Sequence, residues 1–268
     1  MRSAVLVIDV QQGLCEGPGA AFDCEAVIGR INRVTQKGRD AGVPVIFIQH
    51  ESNAGYLEPG TPAWRLATGM AVQPGDITIP KTTPDSFLRT TLEAVLQAHD
   101  VEQVIVCGMH SEFCVDTTVR RALALGYPVT LVDDAHTSVG NSVLTPQQVI
   151  QHHNVTLADV TSFGPRVTTV STQALAIDPA RERGFRLGFH TPSRWSDAEH
   201  LTFWDTCIAE VGRLGLTVGG GSGPRWDLFV AGRGPRRTVT PAERAHLLAW
   251  LAANPDVTEL AAGPLEDA

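Results

Sequence analysis

Short unbroken apolar runs alternate with stretches of helical periodicity over the first two thirds of the chain. Residues 4–10 (Ala-Val-Leu-Val-Ile-Asp-Val) form a continuous β-branched run, the pattern of a parallel strand buried on both faces. Val27, Ile31 and Val34 then mark one face of a helix over 24–41, and Gly42 stops it. Residues 43–49 read as a second buried strand. Residues 51–75 are rich in Gly, Pro and Asn and form a long loop, of the kind that more often carries function than not; an extended piece at 77–79 follows. The rhythm resumes with a helix at 86–98, a strand at 103–107, a helix at 114–125 ended by Gly126, a strand at 128–132, a helix at 146–153 and a strand at 167–170. Strands alternating with helices predict an α/β fold, a parallel sheet with helices on both faces in a Rossmann-type three-layer arrangement.

The pattern changes near 173–183. Residues 1–176 are expected to be one domain, 177–183 a linker and 184–268 a second domain. In the latter, 185–190 alternates like a strand, and Ser196 caps a helix that runs to about Gly215. Strands near 216–218 and 226–231 flank Gly219-Gly220-Gly221-Ser222-Gly223. Thr240-Pro241-Ala242-Glu243 caps a second helix to about Ala253, with a last strand near 257–261. The order β-α-β-β-α-β is that of a small ferredoxin-like α+β domain. The glycine run lacks the lysine of a phosphate loop and the helix that should follow at once, so it reads as a hairpin connection.

Composition narrows the class. The chain has 268 residues, a formal charge of −8 and 43% hydrophobic content, enough for a sizeable core. No apolar stretch approaches a membrane span, no secretory signal precedes the first strand, and the negative charge argues against a general phosphate-backbone binder. Five cysteines (15, 24, 107, 114 and 207) form no spaced framework, which suits free thiols in a reducing cytoplasm. Only Lys37 and Lys81 are lysine among 21 basic residues.

Ligands of an open parallel sheet bind beyond the carboxyl ends of its strands. Asp9 ends the first strand, Lys81 follows the piece 77–79, and Cys114 opens a helix after the turn 108–113. Helix dipoles and a nearby cation would lower the Cys114 thiol pKa, Asp9 could take its proton, and Lys81, a compact ammonium in an arginine-rich chain, could stabilise the ion pair. Lys37 reads as a helix-surface charge. Cys107 is a buried-strand hydrophobe, Cys207 belongs to the tail, and Cys15 could line the pocket or serve as an oxidation partner.

These residues carry a resemblance. Residues 5–12 (Val-Leu-Val-Ile-Asp-Val-Gln-Gln), 79–87 (Ile-Pro-Lys-Thr-Thr-Pro-Asp-Ser-Phe), 106–118 (Val-Cys-Gly-Met-His-Ser-Glu-Phe-Cys-Val-Asp-Thr-Thr), 126–137 and 152–157 together resemble the isochorismatase-like cysteine hydrolases over about residues 1–175. The resemblance implies Cys114 as nucleophile, Asp9 as base and Lys81 as their partner. It also implies a non-proline cis peptide at Met109–His110, an oxyanion hole from the amides of that turn and of Cys114, and assembly as a homo-oligomer. The implied reaction is hydrolysis of a small amide or ureide C–N bond through a thioester. Gln11, His50, Trp64 and His110 are candidates for the substrate-binding wall. Metal-binding members of the superfamily carry an Asp-x-His and a further His, whereas this chain has Gln49-His50-Glu51, so no metal and no other cofactor is expected. His152-His153, adjacent on a helix, read as structural.

Residues 184–268 resemble the small YggL-like proteins, a ribosome-associated family, through 184–190, Phe203-Trp204-Asp205, 219–230, Pro241-Ala242-Glu243-Arg244 and 262–268. The likeness implies a binding module. From residue 178 onward the net charge is −2, with Arg233, Arg236 and Arg237 the local cluster that could meet RNA phosphate. Two readings compete with the amidohydrolase: a ribosome- or protein-binding module whose hydrolase half is vestigial, and a vinyl-ether hydrolase of the isochorismate type.

Overall fold

Six strands of one direction build the first sheet. A computed structural model describes residues 1–179, 183–221, 223–233 and 238–267, which divide into two compact units, 1–179 and 180–268. In the first unit β1 (Ser3–Ile8), β2 (Val45–His50), β3 (Ile77–Lys81), β4 (Gln103–Met109), β5 (Val129–Thr137) and β6 (Val167–Val170) lie in the order β3-β2-β1-β4-β5-β6. Every pairing is parallel. This order reverses direction between β1 and β4, and the crevice beyond that point is where such sheets take ligands.

The sheet is covered on both faces, which is why its strands are continuously apolar. Ala4, Leu6 and Ile8 of β1 share a core with Leu92 and Leu96 of α3 (Leu92–Ala98), Val119, Ala122 and Leu123 of α4 (Asp116–Ala124) and Leu157 of α5 (Pro146–Ala158). On the opposite face α2 (Cys24–Asp40) lies so close that a Cβ on Gly38 would stand 2.9 Å from Val5 and 3.3 Å from Val45. A single turn, α1 (Gln12–Cys15), follows β1.

Several predicted boundaries move for identifiable reasons. The helix expected from 86 begins at Leu92, because Asp85 Oδ1 accepts from the backbone N–H groups of Phe87 and Leu88 and Arg89 adopts φ +60°. The extended piece 77–79 is a full sheet strand, so Lys81 is its last residue rather than a residue after it. Lys37 is not a free surface charge. Its ammonium donates to the carbonyls of Thr172, Gln173 and Leu175, holding the segment that leaves the first unit's sheet.

The second unit has β7 (Arg183–His190), α6 (Asp197–Arg213), β8 (Leu216–Gly220), β9 (Arg225–Gly232), α7 (Pro241–Ala252), β10 (Thr258–Ala262) and the short β11 (Glu266–Asp267). Its antiparallel sheet runs β10-β7-β9-β8, the order of a ferredoxin-like unit, and β11 adds to β7. Both helices begin with the capping boxes read from sequence, Ser196 with Glu199 and Thr240 with Glu243. Trp226 anchors the core, stacked on Phe189 and Trp204, and its indole N–H donates to Thr191 Oγ1 at 3.0 Å. Gly219 and Gly220 of the glycine run are the last residues of β8 and pair with β9, and Ser222 lies outside the described residues. Of the arginine cluster, Arg236 and Arg237 lie outside the described residues. No described helix is long and apolar enough to cross a membrane.

Candidate active site

Four strand ends converge. Register places Ile8 of β1 level with Ile48 of β2 and Gly108 of β4, and His50 level with Lys81 of β3. Asp9, His50, Lys81 and His110 therefore gather at the carboxyl edge beside the reversal point. Asp9 leaves the strand at φ +51°, a left-handed conformation that costs a non-glycine residue energy and clusters at functional sites. It is held there by its N–H on Ile48 O (2.8 Å) and its carbonyl under Gln11 N–H (2.9 Å).

The Lys81 ammonium donates to Asp9 Oδ2 (2.7 Å), to Thr83 O (3.1 Å) and to His50 Nδ1 (3.3 Å), an acceptor for each of its three N–H bonds. Because that contact makes Nδ1 an acceptor, His50 is neutral; burial and the Lys81 charge both depress its pKa. Asp9 Oδ1 is buried and has no partner. A ring nitrogen of His50, a carboxylate oxygen of Asp9 and the Cys114 sulfur lie within 4.8 Å of one another. As a cation site this donor set does not fit, since the Lys81 ammonium already supplies the positive charge among these groups.

Cys114 sits in a π-turn, Ser111–Val115, that runs directly into α4, and not in the first turn of an ordinary helix. The Met109–His110 peptide before it is cis. The expectation of a lowered thiol pKa is overturned. Burial pushes the Cys114 thiol up to about 12, and the Asp9 carboxylate adds to the rise while Lys81 opposes it. Desolvation and a facing negative charge outweigh one cation. The Cys114 thiol is favoured in its protonated form, with Asp9 and Lys81 beside it.

The structure separates the four wall candidates. Gln11 is fully buried, and its side chain is spent on backbone: Nε2 donates to His50 O (3.0 Å) and Trp64 O (2.8 Å), and Oε1 accepts from His50 N–H (2.8 Å). It fastens the end of β1 to β2 and to the long loop, and it offers no free donor to a ligand. Gln49 makes a second tie to Trp64 O. Trp64 Nε1 and His110 Nε2 are buried without partners, as is Glu112 Oε2. Unsatisfied buried polar atoms are rare in folded proteins.

A buried chain escaped the sequence reading. Ser111 Oγ meets His136 Nδ1 at 2.7 Å, His136 Nε2 meets Asn154 Oδ1 at 2.8 Å, and Asn154 Nδ2 donates to Asp133 O at 3.0 Å. It pins the π-turn to β5 and α5. Its signal was a histidine at the carboxyl end of an apolar strand, in Val-Asp-Asp-Ala-His-Thr. His152 and His153 lie on α5, where His153 Nδ1 contacts Val149 O within the helix.

The sequence model of the isochorismatase domain matches residues 3–162, and that of the YggL 50S ribosome-binding protein matches 172–268. Streptothricin hydrolase of Streptomyces noursei is 37% identical over 134 residues, half of this chain; the chain spans about half (49%) of that relative's length. Ureidoacrylate amidohydrolase RutB of Variovorax paradoxus is 28% identical, over 66% of this chain and 82% of its own. A crystal structure of an isochorismatase family protein superposes with a TM-score of 0.58 at 34% identity, covering 63% of this chain and 98% of its own. The N-carbamoylsarcosine amidase of Thermoplasma acidophilum (TM-score 0.55, 19% identity, 65% of this chain and 99% of its own) shares the fold.

Proposed function

The chain belongs to the isochorismatase domain family, and on that premise we propose that its first unit is a cysteine hydrolase cleaving a C–N bond of a small amide or ureide. Cys114 is the nucleophile, Asp9 the proton carrier and Lys81 the charge that holds Asp9 in place. The observation that carries the reading is the Asp9 carboxylate, within 4.8 Å of the Cys114 sulfur, with Oδ1 buried and unpaired while Lys81 occupies Oδ2.

A thiol with a pKa near 12 is no standing thiolate at neutral pH, so proton removal accompanies attack. Asp9 takes the proton as the Cys114 sulfur adds to the substrate carbonyl, and Lys81 offsets the negative charge that develops on sulfur before the S–C bond is complete. Backbone amides of the turn at Met109, His110 and Cys114 receive the oxyanion. Protonated Asp9 then gives its proton to the departing nitrogen, and the C–N bond breaks to leave a thioester on Cys114. Water deprotonated by Asp9 adds to the thioester, the C–S bond breaks, and the proton returns to the thiol.

A ureide presents both N–H donors and carbonyl acceptors, which suit the Asp9 carboxylate and the Cys114 thiol that lie together. Named relatives point the same way: one is a streptothricin hydrolase, another a ureidoacrylate amidohydrolase. Screening small amides and ureides for amine release, with wild type and Cys114→Ala, tests the assignment. Turnover that survives Cys114→Ala would overturn it. Trapping an acylated Cys114 by intact mass on rapid quench tests the thioester.

The second unit is a docking module, a reading supported by its match to a ribosome-binding family model. Sedimentation of the full chain with large ribosomal subunits over a salt series checks it; no co-sedimentation even at low salt would reject it.

A further inference from the structure

Two cysteines that the hydrolytic chemistry does not use stand together at the edge of the first unit. Cys15 closes α1 and Cys24 is the first residue of α2. Cys24 Sγ lies against the carbonyl of Leu14, the residue before Cys15, and both thiols line one surface cleft of about 400 Å³ with Glu16, Glu25, Asn32 and Thr68. Cys15 Sγ also lies 3.8 Å from Met109 Sδ, the residue before His110, and Cys24 Sγ lies 3.9 Å from Leu14 O. Cys107 and Cys207, by contrast, are buried, and neither lines this cleft.

We propose that Cys15 and Cys24 are a reversible modification site, a dithiol that hydrogen peroxide oxidises to a disulfide. The two thiols have different parts. Cys24 stands at the N-terminus of a seventeen-residue helix, where amide dipoles favour the thiolate, and pairing with Cys15 lowers its pKa further. Pairing with Cys24 and burial both raise the Cys15 pKa, so it is the slower of the two to ionise. The Cys24 sulfur therefore attacks one peroxide oxygen. The O–O bond breaks, one water leaves with the addition of a proton, and Cys24 becomes a sulfenic acid. The Cys15 sulfur then attacks Cys24, the S–O bond breaks, and the Cys15 proton leaves with that oxygen as a second water. Two thiols lose two electrons, the peroxide gains them, and a dithiol reductant reverses the step.

The test uses the full chain with hydrogen peroxide at one equivalent, quenched and digested without reductant. Trypsin leaves both cysteines in the peptide 3–30, which should lose about 2 Da and regain it with dithiothreitol. Glutamyl endopeptidase cuts after Glu16 and Glu25 and should yield two peptides joined through Cys15 and Cys24. In Cys15→Ser, dimedone should label Cys24, because no resolving thiol remains. Oxidation confined to Cys114, a disulfide with any other partner, or dimedone labelling of Cys15 in Cys24→Ser but not of Cys24 in Cys15→Ser would each overturn the proposal. None of these readouts depends on the hydrolase reaction.

Discussion

The Lys81 ammonium and the Asp9 carboxylate meet at 2.7 Å with side chains 0% and 1% exposed. An ion pair so far from water is retained at a cost, since desolvation offsets most of its Coulombic gain. Removing one partner is worse, because it strands a buried charge. Lys81→Met should therefore destabilise the first unit by about 3–5 kcal/mol, read from urea unfolding midpoints. Asp9→Asn should lower amide turnover by about 10²–10⁴.

The Cys114 thiol sets a second expectation. With its pKa pushed up to about 12 in the folded chain and 9.0 as its ordinary value, the unfolded chain loses this proton first. The neutral thiol thus contributes stability that is complete below pH 9 and declines as pH rises toward 12. Cys114→Ala should flatten the fall in unfolding midpoint over that interval. In the same way, iodoacetamide should alkylate Cys114 more slowly than a free thiol at pH 7.5 and faster as pH rises; rapid alkylation at neutral pH would contradict the protonated ground state.

His136 acts in the opposite direction. Burial pushes its pKa down to about 4 from 6.5, so below pH 6.5 the unfolded chain binds a proton that the folded chain refuses. Stability should fall between pH 6.5 and 4, by about 3 kcal/mol from this group alone. His136→Gln removes the titrating group, and its urea midpoint should lose that component of the pH slope even though the variant is less stable at pH 7.

Gly108 tests the close approach of β4 to β1. It adopts φ +124°, and a Cβ there would collide with the Ile8 backbone. Gly108→Ala should cost more than about 3 kcal/mol and deplete soluble expression, because strain and overlap with main chain add. Gly17→Ala, at φ +79° but in open space, should be far milder. Thermal melts of both variants separate overlap from dihedral strain.

Much of this protein was legible in the chain itself. Unbroken β-branched runs such as 4–8 declare strands covered on both faces, because only burial on both sides removes the need for polar alternation. Ser196 with Glu199, and Thr240 with Glu243, announce helix starts through bonds spanning three residues. Asp9, Lys81 and Cys114 could be singled out because they lie at or shortly after strand ends, and strand ends are where an open sheet presents chemistry. These features are local, and local sequence carries them.

Tertiary structure decided what depends on partners distant in sequence. The thiol pKa of Cys114 could not be read from its helix position, since it answers to desolvation and to Asp9, 105 positions away in the chain. Gln11 looked like a ligand contact until its amide was found spent on the backbone of His50 and Trp64. Lys37 was a surface charge by periodicity and a carbonyl clamp by packing. The Cys15–Cys24 pair and the Ser111–His136–Asn154 chain needed a fold to bring them together. The sequence by itself determined which elements form and which residues reach the crevice. Only packing decided which polar atoms there are already paired and which are left for a substrate, because desolvation and hydrogen bonding are properties of neighbours in space.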